Sequence, residues 1–381
     1  MQKRSQAFYI GLFILFCALP VVLFAAFGRF SDTTNYENRT LAAMPAFPPA
    51  DADAAQVWPS EVESCFNDHL PFRNQLVTMN GLIEYRFLHS TSSSNVIIGG
   101  DGWLFYKGKQ SNHEDPPADY QGTDLFSESE LQQIAQNLTA ARDELAARNI
   151  QFVVMFCPNK ERIYSEYMPK VYGKLQPGRL QQVTSYLKEK TDLTVVCPVD
   201  ELMAYKSAHP EQRLYYKYDT HWNNYGSYIG GAAVDEALGF DMPDLSTLTR
   251  VEAPLQANDL AKLIHLGQVL TDDDGSMLVG YSPYDVREDV LPEKTELRFQ
   301  NANSNGDPRK VYIIGDSYST MMAPYIAGNF NETVMDYYYV YDPSKLDTEK
   351  PDIVIYETLE RYLWNLTRFS VDQTLPVIPE G

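Results

Sequence analysis

Positive charge is scarce in this chain. Its 381 residues carry Lys+Arg 31 against Asp+Glu 51, a net charge of −20. Phosphate backbones are bound by clustered Lys and Arg, so a nucleic-acid partner is disfavoured. Cysteine is scarce too: there are Cys17, Cys65, Cys157 and Cys197, with no CxxC pair. That excludes a zinc ribbon and a thioredoxin-type motif. Cys157 and Cys197 each end an apolar run and each precede a proline. Two readings stay open, a bridge between neighbouring strands and two buried free thiols packing as small apolar groups. The six histidines, His69, His89, His113, His209, His221 and His265, show no HxxxH spacing, so no metal site is expected. Neither GxGxxG nor GxxxxGK[ST] occurs, so no dinucleotide or P-loop cofactor is expected. No internal repeat is visible.

What is present is apolar and aromatic. A hydrophobic fraction of 44% suits one large domain or two modest ones. Tyr 26 and Trp 4 supply amphipathic rings, which line carbohydrate sites and fill ordinary cores alike. Lys3 and Arg4 precede an uncharged apolar run from Ala7 to Phe27. About 20 such residues span a hydrocarbon core, and basic residues stay on the cytoplasmic side. Residues 1–30 are therefore expected to be an N-terminal transmembrane helix, single-pass, with the bulk of the chain extracytoplasmic. A cleaved signal peptide is the competing reading, with Ala25-Ala26 as the small residues. Residues 31–60, rich in Pro and Ala, read as a tether. Residues 61–94 read as a helical segment broken around 67–74, with His69 and Arg73 as caps or ion-pairing groups.

From Val96 the pattern changes. Val96-Ile97-Ile98, a Gly-Asp-Gly turn and Trp103 to Tyr106 read as a hairpin. A helix is expected from Ser127 to about Arg148, with acids in its first turn, then a buried strand over Gln151 to Cys157. The order repeats: a helix at 180–190, a strand at 193–197, helices at 201–207 and 227–238. Strands are expected at 311–315, 337–340 and 353–357, with a helix after 359. Helices alternating with continuous apolar strands imply an α/β fold with a parallel sheet covered on both faces, of about five strands. Residues 251–307 read as a lid-like insertion, and Asp272-Asp273-Asp274-Gly275 within it as a solvated turn. Residues 95–370 form the main domain and 371–381 a tail.

One strand ends abruptly. Val311-Tyr312-Ile313-Ile314 runs into Gly315-Asp316-Ser317 and then a helix. A serine there sits among unpaired backbone N–H groups at a helix N-terminus, good ground for a nucleophile whose intermediate is an oxyanion. The plainer reading is an N-cap. Serine needs a base, and Asp219-Thr220-His221-Trp222 supplies one: Asp219 can hold Nδ1–H and leave Nε2 of His221 for Ser317. Asn159 and Lys160, at the end of a predicted strand, are candidates for a second oxyanion donor beside the Gly315-Asp316 turn. Trp222 either stacks on sugar or wedges the histidine loop. Tyr356 and Arg361 are candidates for an acceptor groove, with an Arg361–Glu357 ion pair as the alternative.

These blocks resemble the DHHW and alginate acetyltransferase (AlgJ/AlgX-like) branch of the SGNH hydrolases, in which the Asp-His block precedes the serine block. The flanking pieces are similar as well: Asn38-Arg39-Thr40-Leu41 with Pro45, Phe66-Asn67-Asp68-His69 with Phe72-Arg73-Asn74, Gly102 to Tyr106, Pro158-Asn159-Lys160, and Glu357 with Glu360-Arg361-Tyr362. The resemblance implies a three-layer SGNH-like sandwich. It also implies transfer of an acetyl group to hydroxyls of a cell-envelope or secreted polysaccharide, with the acyl donor delivered by a membrane-bound O-acyltransferase. A carbohydrate esterase with the same triad, or a silent glycan-binding subunit, are the alternatives. AlgX-like members carry a C-terminal carbohydrate-binding module that has no counterpart here, so glycan binding is expected from the main domain or a partner.

Overall fold

The computed structural model describes residues 2–27, 41–47, 51–70, 72–108, 114–252, 258–272, 276–279, 286–290, 296–301 and 306–375. They fall into two compact units, Met1–Ser93 with Ala261–Leu270, and Ser94–Leu260 with Thr271–Gly381. Asn38-Arg39-Thr40, Asp273-Asp274-Gly275 and residues 376–381 of the expected tail lie outside the described residues.

The first unit is helical. Helix α1 (Gln2–Phe27) takes up the apolar run. Among the described residues no helix is long and apolar enough to cross a membrane, so the structure lends no support to the expected transmembrane anchor. Helix α2 (Ala52–Asp68) starts inside the stretch expected as tether, because the Asp51 side chain accepts the Ala54 N–H at 2.8 Å and caps it. Its alanines then favour the helix. The break comes where the sequence placed it, before α3 (Arg73–Ile83). His69 closes α2, its Nδ1 2.8 Å from the Cys65 carbonyl.

The second unit opens with the hairpin β1 (Val96–Ile98) and β2 (Leu104–Tyr106), antiparallel with Ile97 opposite Phe105. Then come α4 (Pro116–Gln121), α5 (Glu128–Ala147), β3 (Gln151–Cys157), α6 (Lys160–Ile163), α7 (Arg179–Lys190), β4 (Thr194–Val196), α8 (Val199–Ala208) and α9 (Asn224–Ala237). Next are β5 (Thr249–Glu252), α10 (Asp259–Leu263), β6 (Ser276–Val279), β7 (Val286–Val290) and β8 (Glu296–Asn301). The chain closes with β9 (Asp307–Gly315), α11 (Ser317–Ala327), β10 (Phe330–Tyr337), α12 (Lys345–Glu349), β11 (Ile353–Leu359) and a 3₁₀ helix over Glu360–Arg368. Helix α5 begins with a capping box between Ser127 and Glu130.

The main sheet has seven strands in the order β4-β3-β11-β9-β10-β8-β7. The first five are mutually parallel, as the alternating pattern implied. Strands β8 and β7 add an antiparallel edge from the stretch expected as an insertion. Tyr338 to Val340, expected in a strand, form a turn instead, because β10 has already run from Phe330 to Tyr337.

Alternation explains the two cores. Val153, Met155 and Cys157 of β3 join Ile313 and Ile355 under Ile229 and Val234 of α9 and Met322 and Ile326 of α11. Phe152, Val154 and Phe156 join Tyr312 and Tyr356 under Ile134 and Leu138 of α5 and Val183 and Leu187 of α7. A strand buried on both faces has no polar face to show, hence the continuous apolar runs. Cys157 and Cys197 are both free thiols.

Candidate active site

The serine turn is stitched to its neighbouring strand. Asp316 caps α11 by accepting the Tyr318 N–H at 2.9 Å, and its other oxygen accepts the Leu359 N–H at 2.9 Å. The Asp316 N–H and the Ser319 hydroxyl both donate to Glu357 Oε2 on β11, at 3.0 and 2.8 Å. Glycine is required at 315, since a Cβ there would lie 2.1 Å from Ser319 Oγ and 2.8 Å from Glu357 Oε2. Burial, then the nearby Asp316, push the Glu357 carboxyl up to about 8. That favours its protonated form at neutral pH, with Oε2 accepting both bonds. Ser317 is the first residue of α11, where the backbone N–H has no carbonyl partner within the helix.

The histidine stands on a tight loop. The Tyr216 N–H donates to the His221 carbonyl at 3.1 Å, the Asn223 N–H donates to the Leu214 carbonyl at 2.9 Å, and Tyr215 bridges Trp222. Asn223 then caps α9 by accepting the Tyr225 and Gly226 N–H groups. Lys160 reaches in from α6, and its ammonium donates to the carbonyls of Tyr216, Lys217 and Asp219 at 3.1, 3.3 and 2.6 Å. Asp272 accepts the Lys217 and Tyr218 N–H groups at 2.9 and 3.0 Å. The Tyr318 hydroxyl donates to the Thr220 carbonyl at 2.6 Å, and Trp222 Nε1 donates back to the Tyr318 carbonyl at 3.2 Å. Two bonds therefore tie this loop to the first turn of the serine helix.

The result is a continuous chain of hydrogen bonds. Ser317 Oγ lies 2.7 Å from His221 Nε2, and His221 Nδ1 lies 2.7 Å from Asp219 Oδ1. Burial alone would raise the Asp219 carboxyl. The His221 charge and the bonds from His221 and Asp259 outweigh it and hold Asp219 well below the usual carboxylate range. Burial likewise opposes charge on His221, but Asp219 and then Asp259 prevail, and the imidazole ends above the ordinary histidine value. An imidazole so placed can accept a proton at Nε2 while Nδ1 is held by a carboxylate.

The other sequence candidates divide. The Asn159 carboxamide is 2% exposed, and neither its oxygen nor its nitrogen has a partner. Its backbone N–H donates at 3.0 Å to Glu360, which is itself gripped by Arg162. Lys160 is not an open donor, since its ammonium is taken up by the loop carbonyls. Trp222 is fully buried and so wedges the loop, with no face for a sugar. Tyr356 does not line a groove: it is buried on the opposite face of the sheet, its ring 4.0 Å from that of Phe369. Arg361 forms no ion pair with Glu357 among the described residues; its guanidinium lies 5.0 Å from the rings of both Tyr106 and Tyr362. Sequence reasoning missed Asp259, which accepts both the Thr220 N–H and hydroxyl, at 2.8 and 2.5 Å. No local motif marks it, 40 residues from the aspartate it serves. Asp219, His221 and Asp259 offer ligand atoms within 4.8 Å of one another, a spacing a metal ion can use. The same atoms are engaged by the hydrogen bonds just described.

Known proteins show the family and the fold to which the chain is similar. A "Probable alginate O-acetylase AlgJ" of Pseudomonas fluorescens is 23% identical over 251 residues, covering 64% of this chain and 55% of the relative. A second AlgJ, from Azotobacter vinelandii, is 24% identical over 169 residues, covering 44% of this chain and 39% of the relative. The chain thus spans about half the length or less of these curated relatives. PatB1 of Bacillus cereus superposes with a TM-score of 0.51 at 15% identity, over 72% of this chain and 98% of its own, and shows the same fold. The family model described as the SGNH hydrolase-like domain of acetyltransferase AlgX matches residues 96–336, and the chain belongs to that family.

Proposed function

We propose that this chain is an O-acetyltransferase that moves an acetyl group onto polysaccharide hydroxyls through an acyl-serine. The observation that carries the reading is His221, with one nitrogen 2.7 Å from Ser317 Oγ and the other 2.7 Å from Asp219. The AlgX-type family and the AlgJ relatives, named for alginate acetylation, support a polysaccharide acceptor.

Ser317 Oγ attacks the acetyl carbonyl as its proton passes to His221 Nε2. The oxyanion lies against the Ser317 N–H, with the unpartnered Asn159 Nδ2 as second donor. The intermediate collapses, the donor's leaving group takes the proton from His221, and acetyl-Ser317 remains. A sugar hydroxyl then gives its proton to Nε2 and attacks the ester; the second tetrahedral intermediate collapses as Nε2 returns that proton to Ser317 Oγ, releasing acetylated sugar and free serine. Asp219 keeps the imidazole in one tautomer and steadies the imidazolium. In this proposal the N-terminal helix holds the chain at the membrane, the site acts outside it, and a membrane-bound O-acyltransferase supplies the acetyl group.

The test is incubation of the full chain with an activated acetyl ester, with and without oligosaccharides, followed by mass spectrometry. Acetyl-Ser317 that discharges onto sugar is the expected result. A folded protein whose Ser317 takes no acetyl from any serine-directed ester sinks the mechanism. Acetate release that oligosaccharides leave unchanged points to water as acceptor and sinks the transferase. For placement, protease added to intact cells should degrade the domain; full protection would overturn an external site.

A further inference from the structure

The residues around the base contain a second acid that the proposed steps do not use. Asp259 opens α10 and meets the histidine loop in three ways. Its backbone N–H donates to Asp219 Oδ2 at 3.0 Å. Its carboxylate oxygens accept the Thr220 N–H at 2.8 Å and the Thr220 hydroxyl at 2.5 Å. The same carboxylate stands 4.0 Å from His221 Nδ1, and Thr220 Oγ1 stands 3.3 Å from that nitrogen.

These contacts divide the work on Asp219. Its Oδ1 receives the His221 side chain at 2.7 Å and the His221 backbone N–H at 3.0 Å. Its Oδ2 receives Asp259. A carboxylate engaged at both oxygens cannot swing about its bond, so the imidazole it holds cannot turn away from Ser317. The side chain of Asp259 is 37% exposed and that of Asp219 1%, so the two acids differ in solvation. One is locked in the protein, and the other is reachable by water.

We propose that Asp259 is a positioning residue for the base, clamping the Asp219-Thr220-His221 loop and facing the imidazolium as a second negative charge. The inference rests on His221 being the base that serves Ser317. The charges facing His221 are Asp219, Asp259 and Asp316, which favour its protonated form, and Arg361, which opposes it. Asp259 in turn faces Asp219, His221 and the Lys160 ammonium. Neutralising Asp259 therefore removes one of three carboxylates that favour the imidazolium and leaves Arg361 in place.

The experiment follows kcat and KM for an activated acetyl ester against pH, for wild type, Asp259→Asn, Asp259→Ala and His221→Ala. Asparagine keeps an oxygen for the Thr220 N–H and the backbone bond to Asp219; it loses the charge, and its Nδ2 donates to the Thr220 hydroxyl where the carboxylate accepted from it. Its acid limb in kcat/KM should move to lower pH by about 0.5 to 1, with a plateau within about tenfold of wild type. Alanine also loses the clamp on Thr220, and kcat should fall about 10- to 100-fold with little change in KM. An acid limb in Asp259→Asn that coincides with wild type overturns the proposal, even if alanine proves unstable. A slower alanine variant with an unmoved limb also overturns it, as that is what a structural brace alone would do. Wild-type acylation by His221→Ala would instead bring down the underlying reading of the base.

Discussion

The serine turn and the histidine loop are fixed in different ways. Gly315 to Ser319 takes its place from the sheet: the Tyr338 N–H donates to the Gly315 carbonyl at 2.8 Å, and Glu357 and Leu359 bind from the adjoining strand β11. The histidine loop has a single bridge of strand pairing, Tyr215 with Trp222. It is held by side chains drawn from elsewhere. Tyr164 accepts the Leu214 N–H at 2.8 Å, and the Tyr215 hydroxyl donates to the Pro158 carbonyl at 2.8 Å. Lys160, Asp259, Asp272 and Tyr318 do the rest. Ser317 thus inherits its position from backbone pairing, whereas His221 is placed by a set of separable contacts. Substitutions around the base should grade its performance, and substitutions under the serine should act through the sheet.

The sharpest break of this contrast removes either reacting group. Ser317→Ala and His221→Ala should each lower acyl transfer about 10³-fold or more with circular dichroism unchanged. A large drop from only one of them would uncouple the two halves. Next in size is Lys160→Met, which leaves three loop carbonyls without their donor. A loss of about 3 kcal/mol in urea unfolding, with kcat down 10- to 100-fold, is expected. Full activity in that variant would mean the loop holds itself.

Glu357→Gln probes the other half. The amide keeps one oxygen for the Asp316 N–H and the Ser319 hydroxyl, so activity at pH 7 should stay within about threefold. Its stability should carry a signature of pH. Glu357 is raised to about 8 in the fold, so between about 4.5 and 8 the folded state keeps a proton that the unfolded chain releases. Wild-type stability then falls as pH rises through that window, and the glutamine variant is spared. Its advantage in unfolding free energy from urea titration should grow to about 4 kcal/mol by pH 8. A constant difference from pH 5 to pH 8 would show that Glu357 is ionised in the fold. The smallest effect belongs to Trp222→Phe, which loses the bond to the Tyr318 carbonyl. It should cost about 1 kcal/mol and leave kcat within about twofold, and a larger fall in kcat would make that bond part of the base's alignment.

The contrast also accounts for what is legible in the sequence. Local signals mark β3, β9 and β11, since a short continuous apolar run bounded by turn residues suits a strand buried on both faces. They also mark Gly315-Asp316-Ser317 and Asp219 with His221, each within a few residues. Strand β10 is placed too late by sequence because Asn331, Glu332, Thr333 and Asp336 interrupt its apolar run. Two of these polar groups have distant partners: Lys310 meets Glu332 at 2.6 Å, and Lys345 meets Asp336 at 2.6 Å. Strands β7 and β8 are hidden in the same way by Arg287, Glu288, Asp289, Glu296 and Arg298. Tyr356 belongs to the face opposite the one expected for a groove. Strand side chains alternate, so with Glu357 turned to the serine, Tyr356 points away. Asp259 and the use made of Lys160 have no local mark, because both act through partners dozens of residues distant.

Strand order carries a last consequence, for the chain as it is being made. β11 lies between β3 and β9, yet among the described strands of the sheet it is the last to be synthesised. Until residue 359 has emerged, nothing in the sheet joins the β3–β4 pair, with Lys160 after β3, to the β9–β10 pair that carries Ser317. Leu359 and Glu357, the residues that fix the serine turn, arrive with that strand. A chain that has passed α11 but not reached β11 therefore carries Asp219, His221 and Ser317 and lacks the strand that seats the serine turn. On the proposed mechanism, a stop codon between residues 328 and 352 should yield a protein without acyl chemistry.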